Sequence, residues 1–410
     1  MASSWTWRQY SVVRLLLGGY LIVHFAMLLP WGAELFSSSG MLGDASLSPL
    51  IGLFPNILGL FDAAWFVAVL IGSGVAAAIF LAIGRGDRWA AVWLWFLLAC
   101  LFGRNPLIAN PSLPVVGWLL LFHAFLPKPV EPWNAADKNA VTAPTVPRQF
   151  VTVAWVMLAV AYSFSGWTKF FSPAWVDGET VRFVLENPLA RDHWLRQWLL
   201  ATPAWVLESV TLGILWLELL FAPLALFRKL RPWIWTGMLF VQFGFLVLLN
   251  FADLTFPMLI LHALTFDPRW VRGTASVQGS RVYYDGACGL CHGWVTFLLA
   301  EDRRDVFSFV PLQGETAKCD VPDIAGEADY DSIVVITPGG KRLERFAAVR
   351  YSLGAIGGLW RIASFAMALV PRPLGDAVYR LVASHRLKLY GTREALCPLV
   401  PKPWQLRFMP

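Results

Sequence analysis

Cys288 and Cys291 stand in Arg281-Val-Tyr-Tyr-Asp-Gly-Ala-Cys-Gly-Leu-Cys-His-Gly-Trp294, where an apolar strand runs into a glycine turn and then a helix start. Thiol–disulfide exchange needs two sulfurs close enough to bond and a first thiol that reacts as thiolate. The unpaired N–H groups and the positive dipole end of a helix favour the anion at Cys288, and Cys291, one turn on, is then the resolving thiol. The same two residues could be half of a zinc site, which would need two more Cys or His ligands, usually a second close pair. Cys319, Cys397, His292 and His385 are the nearby candidates, and none of them forms such a pair. A Cys-x-x-Cys beside a βα unit favours redox use, so no metal is expected. Asp285 either caps the turn or takes a proton during exchange. Cys319 and Cys397 read as small or incidental lone cysteines.

A second stretch, Tyr162-Ser-Phe-Ser-Gly-Trp-Thr-Lys-Phe-Phe-Ser-Pro-Ala-Trp-Val-Asp-Gly178, ends an apolar span on Lys169 and continues into an aromatic loop. A lysine at such a boundary either snorkels to the headgroups or is desolvated by Trp167, Phe170, Phe171 and Trp175 and acts as a base. Arg14, His24, His123, Glu208, Glu218, Gln242 and His262 also fall within apolar segments, where each is a site candidate because charge or polarity there is costly. Glu218, in Trp216-Leu-Glu-Leu-Leu-Phe, has no charged neighbour within a helical turn and must pair, protonate or face water. An interhelical hydrogen bond that fixes packing would answer the same need.

The elements that carry these residues follow from composition. Hydrophobic residues make up 57% of the 410 and charged residues 15%, with 22 Trp, values that point to a polytopic membrane protein. Residues 1–268 hold 15 Lys+Arg against 14 Asp+Glu and residues 269–410 hold 18 against 13, so a nearly neutral membrane part precedes a basic soluble one. The expected organisation is a membrane domain over 1–268, a linker over 269–280 and a soluble domain over 281–410. Eight spans are predicted, at about 11–30, 63–84, 89–103, 113–126, 150–168, 204–227, 232–250 and 254–266, several of them short or Pro-broken against the roughly 20 residues that cross a bilayer. Arg8, Arg85 with Arg88, the loop from Lys128 to Arg148 and the Arg228 to Arg231 turn would then share one face, which places the N-terminus and the C-terminal domain in the cytoplasm of an inner-membrane-like setting. The first apolar stretch carries His24 and runs into Trp31 and Glu34, so it reads as a span and not as a cleaved signal. Nothing suggests nucleic-acid binding; the expected partners are the bilayer and a thiol or disulfide substrate.

Past the cysteines comes an alternating strand, Asp305-Val-Phe-Ser-Phe-Val-Pro-Leu-Gln313, then a strand, a Gly-Gly turn and a returning strand across 331–346, then helix over 347–390. Helix, strand, hairpin and helix around one sheet is the thioredoxin plan. The segment is similar to the DCC-type thiol-disulfide oxidoreductase family. Its Asp-x-x-Cys-x-x-Cys stands here as Asp285 to Cys291, its Phe-x-Pro-Leu-Gln as Phe309 to Gln313, and Val370 to Tyr379 with Cys397-Pro-Leu fit its tail. The resemblance covers about 281–400 and implies a thioredoxin-like fold with Cys288 and Cys291 as the redox pair.

The membrane half resembles the HTTM family, related to vitamin K-dependent gamma-carboxylase, through Ser165-Gly166-Trp167-Thr168-Lys169 and Trp175-Val176-Asp177-Gly178. That resemblance implies Lys169 as a base; Trp167 and Trp175 of the same motif, and Glu218 from its mid-span position, are the residues expected about a quinone or another lipid-soluble substrate. Joined, the halves suggest a membrane thiol-disulfide oxidoreductase coupled to such a substrate, with a reversible Cys288–Cys291 disulfide and no tightly bound cofactor. In the expected topology Lys169 and the cysteines face opposite sides of about 30 Å of hydrocarbon, so direct transfer between them is not expected. Two other readings stay open: a transport or maturation factor with a redox-sensing dithiol, and an oxygen-dependent modification with Lys169 as base.

Overall fold

The computed structural model of the chain describes residues 5–108, 110–127, 145–271, 273, 279–325, 330, 332–391, 400 and 402–410. The chain divides into two compact units. One comprises Tyr10–Pro127 and Pro147–Phe266; the other comprises Asp267–Pro410 with the described parts of Met1–Gln9 and Lys128–Val146. Most of the loop from Lys128 to Arg148, and Cys397, lie outside the described residues.

The first unit is all-helical, and a helix forms over each of the eight apolar segments. These are α1 (Trp7–Leu28), α2 (Ala64–Ile83), α3 (Asp87–Arg104), α4 (Leu113–Phe125), α5 (Arg148–Phe170), α6 (Ala204–Leu219), α7 (Arg231–Leu248) and α8 (Ala252–Thr265). Length and composition do not support eight crossings. Among the described residues, Trp7–Phe36, Ala64–Ile83, Arg148–Phe170 and Arg231–Leu248 are long and apolar enough to cross a membrane, and a fifth is added if Trp194–Leu200 and α6, bent by 105°, form one broken span. The reasons are local. The predicted 204–227 span ends its first helix at Leu219 and resumes as the short helix Phe221–Ala225; α4 and α8 have 13 and 14 residues; α3 carries Asp87, Arg88 and Arg104. The long helices are apolar on all sides, which suits lipid or a large core and not a water-facing surface. On α2, Val67, Ile71 and Leu81 are buried while Trp65, Val69 and Phe80 stay exposed.

The second unit is built on a four-stranded sheet of β1 (Ser280–Tyr284), β2 (Phe307–Pro311), β3 (Val334–Ile336) and β4 (Arg342–Glu344), in the order β2-β1-β3-β4. β1 runs parallel to β2 and antiparallel to β3, which pairs antiparallel with β4. The parallel pair needs a crossover, and α9 (Gly289–Glu301) supplies it. Alternation along β1 sets the two faces. Val282 and Tyr284 meet Phe309, Val335 and the Val295, Leu298 and Leu299 side of α9, whereas Tyr283 turns to Val310, Val334 and Ala317. Phe309 exchanges backbone hydrogen bonds with Arg407 and Met409, so the C-terminal segment covers the outer edge of β2.

After β4 come α10 (Arg345–Ile356), α11 (Gly358–Ala368) and α12 (Arg372–Tyr390). α11 packs on α10 and leaves Ile362 and Phe365 exposed. The N-terminal residues join this unit: Gln9 Nε2 and Trp360 Nε1 both donate to Glu301 Oε2, at 3.3 and 2.7 Å.

Candidate active site

Asp285 follows β1, and its carboxylate builds the turn that delivers the first cysteine. Oδ1 accepts the Ala287 N–H at 2.9 Å, and the Asp285 carbonyl oxygen accepts the Cys288 N–H at 3.3 Å. This is the turn-capping arrangement that short acidic side chains favour. Gln313, two residues past β2, clamps the same turn with both ends of its amide: Nε2 donates to Asp285 Oδ1 at 3.0 Å and Oε1 accepts the Gly286 N–H at 3.0 Å. Cys288 is the N-cap of α9, with extended backbone (φ −95°, ψ 121°), and its carbonyl oxygen accepts the His292 N–H at 3.1 Å. The first turn of α9 therefore faces the Cys288 sulfur with unpaired N–H groups.

Both cysteines are buried free thiols. The Cys291 thiol donates to Cys288, and this bond does most to lower the Cys288 pKa to about 6, helped by the Cys291 and Leu290 backbone N–H groups and by the charge of Arg386 against the cost of burial. The same hydrogen bond, reinforced by burial, pushes Cys291 up. The shifts are opposite in direction, so Cys288 is the more acidic of the two thiols.

Two helices close the site. Gly289 N–H donates to the Gly391 carbonyl oxygen at 3.1 Å, and a Cβ on Gly289 would sit 2.3 Å from the Tyr390 carbonyl oxygen, so only glycine admits the end of α12 here. Arg386, buried on α12, donates from Nη2 to Asp285 Oδ2 at 3.4 Å and to the Tyr330 carbonyl oxygen at 3.0 Å. Tyr379, two turns earlier on the same helix face, accepts the Ile333 N–H at 2.9 Å and so pins α12 to the start of β3. Sequence reasoning missed Arg386 and Tyr379 and gave Gln313 no role. A signal existed only for Gln313 and Tyr379, which lie in the quoted motifs.

His292 Nε2 donates to the Gly286 carbonyl oxygen at 2.7 Å. Cys319 and His385 are exposed, and among the described residues no three His, Cys, Asp or Glu side chains cluster as metal ligands.

In the helical unit, Lys169 Nζ lies 2.7 and 2.6 Å from Glu218 Oε1 and Oε2 and 4.6 Å from the Trp175 ring centre. Glu218 thus meets its need for a partner by pairing. Gly166 permits the approach of α5 to α6: a Cβ there would sit 2.3 Å from the Leu219 nitrogen. Ser163, one turn back, bridges the same contact, donating to the Glu218 carbonyl oxygen at 3.2 Å and accepting the Ala222 N–H at 2.8 Å. Trp167 is not brought into this cluster. Two residues from Lys169, it projects from another side of α5 and packs edge-on against Phe171.

Residues 282–392 match the DCC1-like thiol-disulfide oxidoreductase family. Similar curated proteins include the uncharacterized protein YuxK of Bacillus subtilis (strain 168), 33% identical over 128 residues, which is 31% of this chain and 91% of that protein. Another is the chloroplastic DCC family protein At1g52590 of Arabidopsis thaliana, 27% identical over 130 residues, 31% of this chain and 76% of the relative. No solved structure matches.

Proposed function

Because the chain belongs, through its C-terminal unit, to the DCC1-like thiol-disulfide oxidoreductase family, we propose that Cys288 and Cys291 are its exchanging dithiol. The observation that carries this reading is the placement of two buried free thiols at one helix N-terminus, Cys288 as the N-cap of α9 and Cys291 in its first turn. The Cys288 thiolate attacks one sulfur of a substrate disulfide, forming a mixed disulfide and releasing the other sulfur as thiolate. Cys291 gives up its proton and attacks Cys288, which forms the Cys288–Cys291 disulfide and frees the substrate as a dithiol. Two electrons pass to the substrate, and the reverse sequence oxidises it. Asp285, Gln313 and Arg386 position the turn. A thioredoxin-like fold is the reading that the β2-β1-β3-β4 order and the α9 crossover support.

The several apolar helices support a membrane setting for this chemistry, and the basic residues of the short loops are the reason to place the C-terminal unit on the cytoplasmic face. There we place an HTTM-like unit that takes a quinone or another lipid-soluble molecule as electron partner. Purified protein in nanodiscs tests the main reading. Wild type should reduce a disulfide when supplied with dithiol, Cys288→Ser should not, and a quinone analogue should accept electrons from the reduced protein if the units are coupled. Turnover retained in Cys288→Ser would refute the dithiol assignment.

A further inference from the structure

Apart from both sites, the helical unit holds a cleft of about 550 Å³, within the range of small-molecule pockets. Its polar end is Asp253, in the first turn of α8. Asp253 Oδ1 accepts from Tyr20 Oη at 2.7 Å and from His24 Nδ1 at 3.0 Å, and Oδ2 accepts from Asn110 Nδ2 at 2.7 Å. The Asn110 amide is fixed in that sense, because its Oδ1 accepts the Ser112 N–H at 2.9 Å. The Ser112 hydroxyl donates in turn to the Asp253 carbonyl oxygen at 2.9 Å. Five side chains from α1, the segment before α4, and α8 are thus locked in one network.

That network settles what the histidine offers. A carboxylate that receives every other contact as an acceptor takes the Nδ1 proton too, which leaves Nε2 as the ring nitrogen outside this network, on a residue that lines the cleft. Arg191 also lines the cleft, with Nε held by the Leu249 carbonyl oxygen at 2.9 Å, and it balances the charge of Asp253. A charged ligand therefore finds no net attraction. The remaining wall is apolar, with Val23, Met27, Leu98, Phe102 and Phe256.

We propose that this cleft binds a neutral, lipid-like molecule bearing a hydroxyl group, which hydrogen-bonds His24 Nε2 while its apolar body packs against Met27, Phe102 and Phe256. The site goes beyond the redox reading and does not depend on it, and its test uses no dithiol.

Full-length protein in nanodiscs is assayed for equilibrium binding of para-octylphenol, octylbenzene and para-octylbenzoate, with protein-free nanodiscs subtracted. The phenol should bind saturably and about tenfold more tightly than octylbenzene, the scale of one net hydrogen bond. His24→Ala should abolish that preference while octylbenzene binding persists, and Val23→Trp, which fills the cleft and spares the dyad, should abolish binding of both. Equal affinity of wild type for phenol and octylbenzene would overturn the proposal, a result that needs no variant to fold. So would a preference for the benzoate, which would mean a cationic ring, or a preference for the phenol that survives His24→Ala.

Discussion

Replacing Cys291 with Ala should raise the Cys288 pKa without moving its backbone. In the reduced protein the Cys291 thiol is the largest influence holding Cys288 at about 6, well below its ordinary 9.0. A hydrogen bond to a charged group contributes about 1.5 to 3 kcal/mol, and one pKa unit corresponds to about 1.4 kcal/mol, so its loss should move Cys288 up by roughly one to two units. Serine at the same position keeps a donor and should restore most of the depression, which separates the hydrogen bond from the change in volume. The assay is the rate of iodoacetamide alkylation against pH, read at Cys288 by peptide mass spectrometry so that the other cysteines do not interfere. In wild type the rate should rise with unit slope and level off near pH 6; in Cys291→Ala it should level off roughly one to two units higher. Stability carries the same sign. Because the folded value is depressed, the thiolate's contribution is complete above pH 9.0 and is lost as pH falls through about 6. A Cys291→Ala plateau at the wild-type pH would show that the helix terminus and Arg386 suffice, and would refute the assigned cause.

Arg386→Met should raise the Cys288 plateau by a smaller step and release Asp285, whereas Arg386→Lys should keep part of the effect; an unchanged profile in Arg386→Met would remove the arginine from the site. Lys169→Met leaves Glu218 a buried, unpartnered carboxylate and should cost about 3 to 5 kcal/mol in detergent unfolding. Lys169→Met combined with Glu218→Leu should recover most of that loss if the pair is structural, and should still lack any base-dependent activity if it is chemical. Gly166→Val drives a side chain into the Leu219 backbone and should lower the unfolding midpoint of the helical unit, by about 1 to 3 kcal/mol of stability or more, with dithiol titration unchanged.

The dithiol was legible because its chemistry fixes its spacing: a thiolate at a helix start and a partner one turn on leave little freedom, and the strand before them alternates as β1 does. What surrounds it was not. Gln313 reaches Asp285 across 28 residues and Arg386 across 101, and nothing marks Arg386 off from Arg372, Arg380 or Lys388 until α12 is docked. Lys169 and Glu218 each stood out alone as polar residues in apolar surroundings, yet their pairing depends on the close approach that Gly166 and Ser163 allow. Helix positions followed from apolar runs, but crossing lengths did not, since Pro223 removes a hydrogen bond to the Leu219 carbonyl and Pro203 stands at the bend before Ala204. The His24–Asp253 contact joins residues 229 apart, one read as intramembrane and the other as loop.

The central claim is that Cys288 and Cys291 interconvert reversibly between dithiol and disulfide. Equilibrating full-length protein in nanodiscs with dithiothreitol or glutathione buffers, followed by acid trapping and peptide mapping, measures this directly. One two-electron transition is expected, in which both cysteines lose their alkylation together, at a potential between about −120 and −300 mV. Absence of a Cys288–Cys291 crosslink in every buffer, or independent oxidation of the two residues, would contradict it.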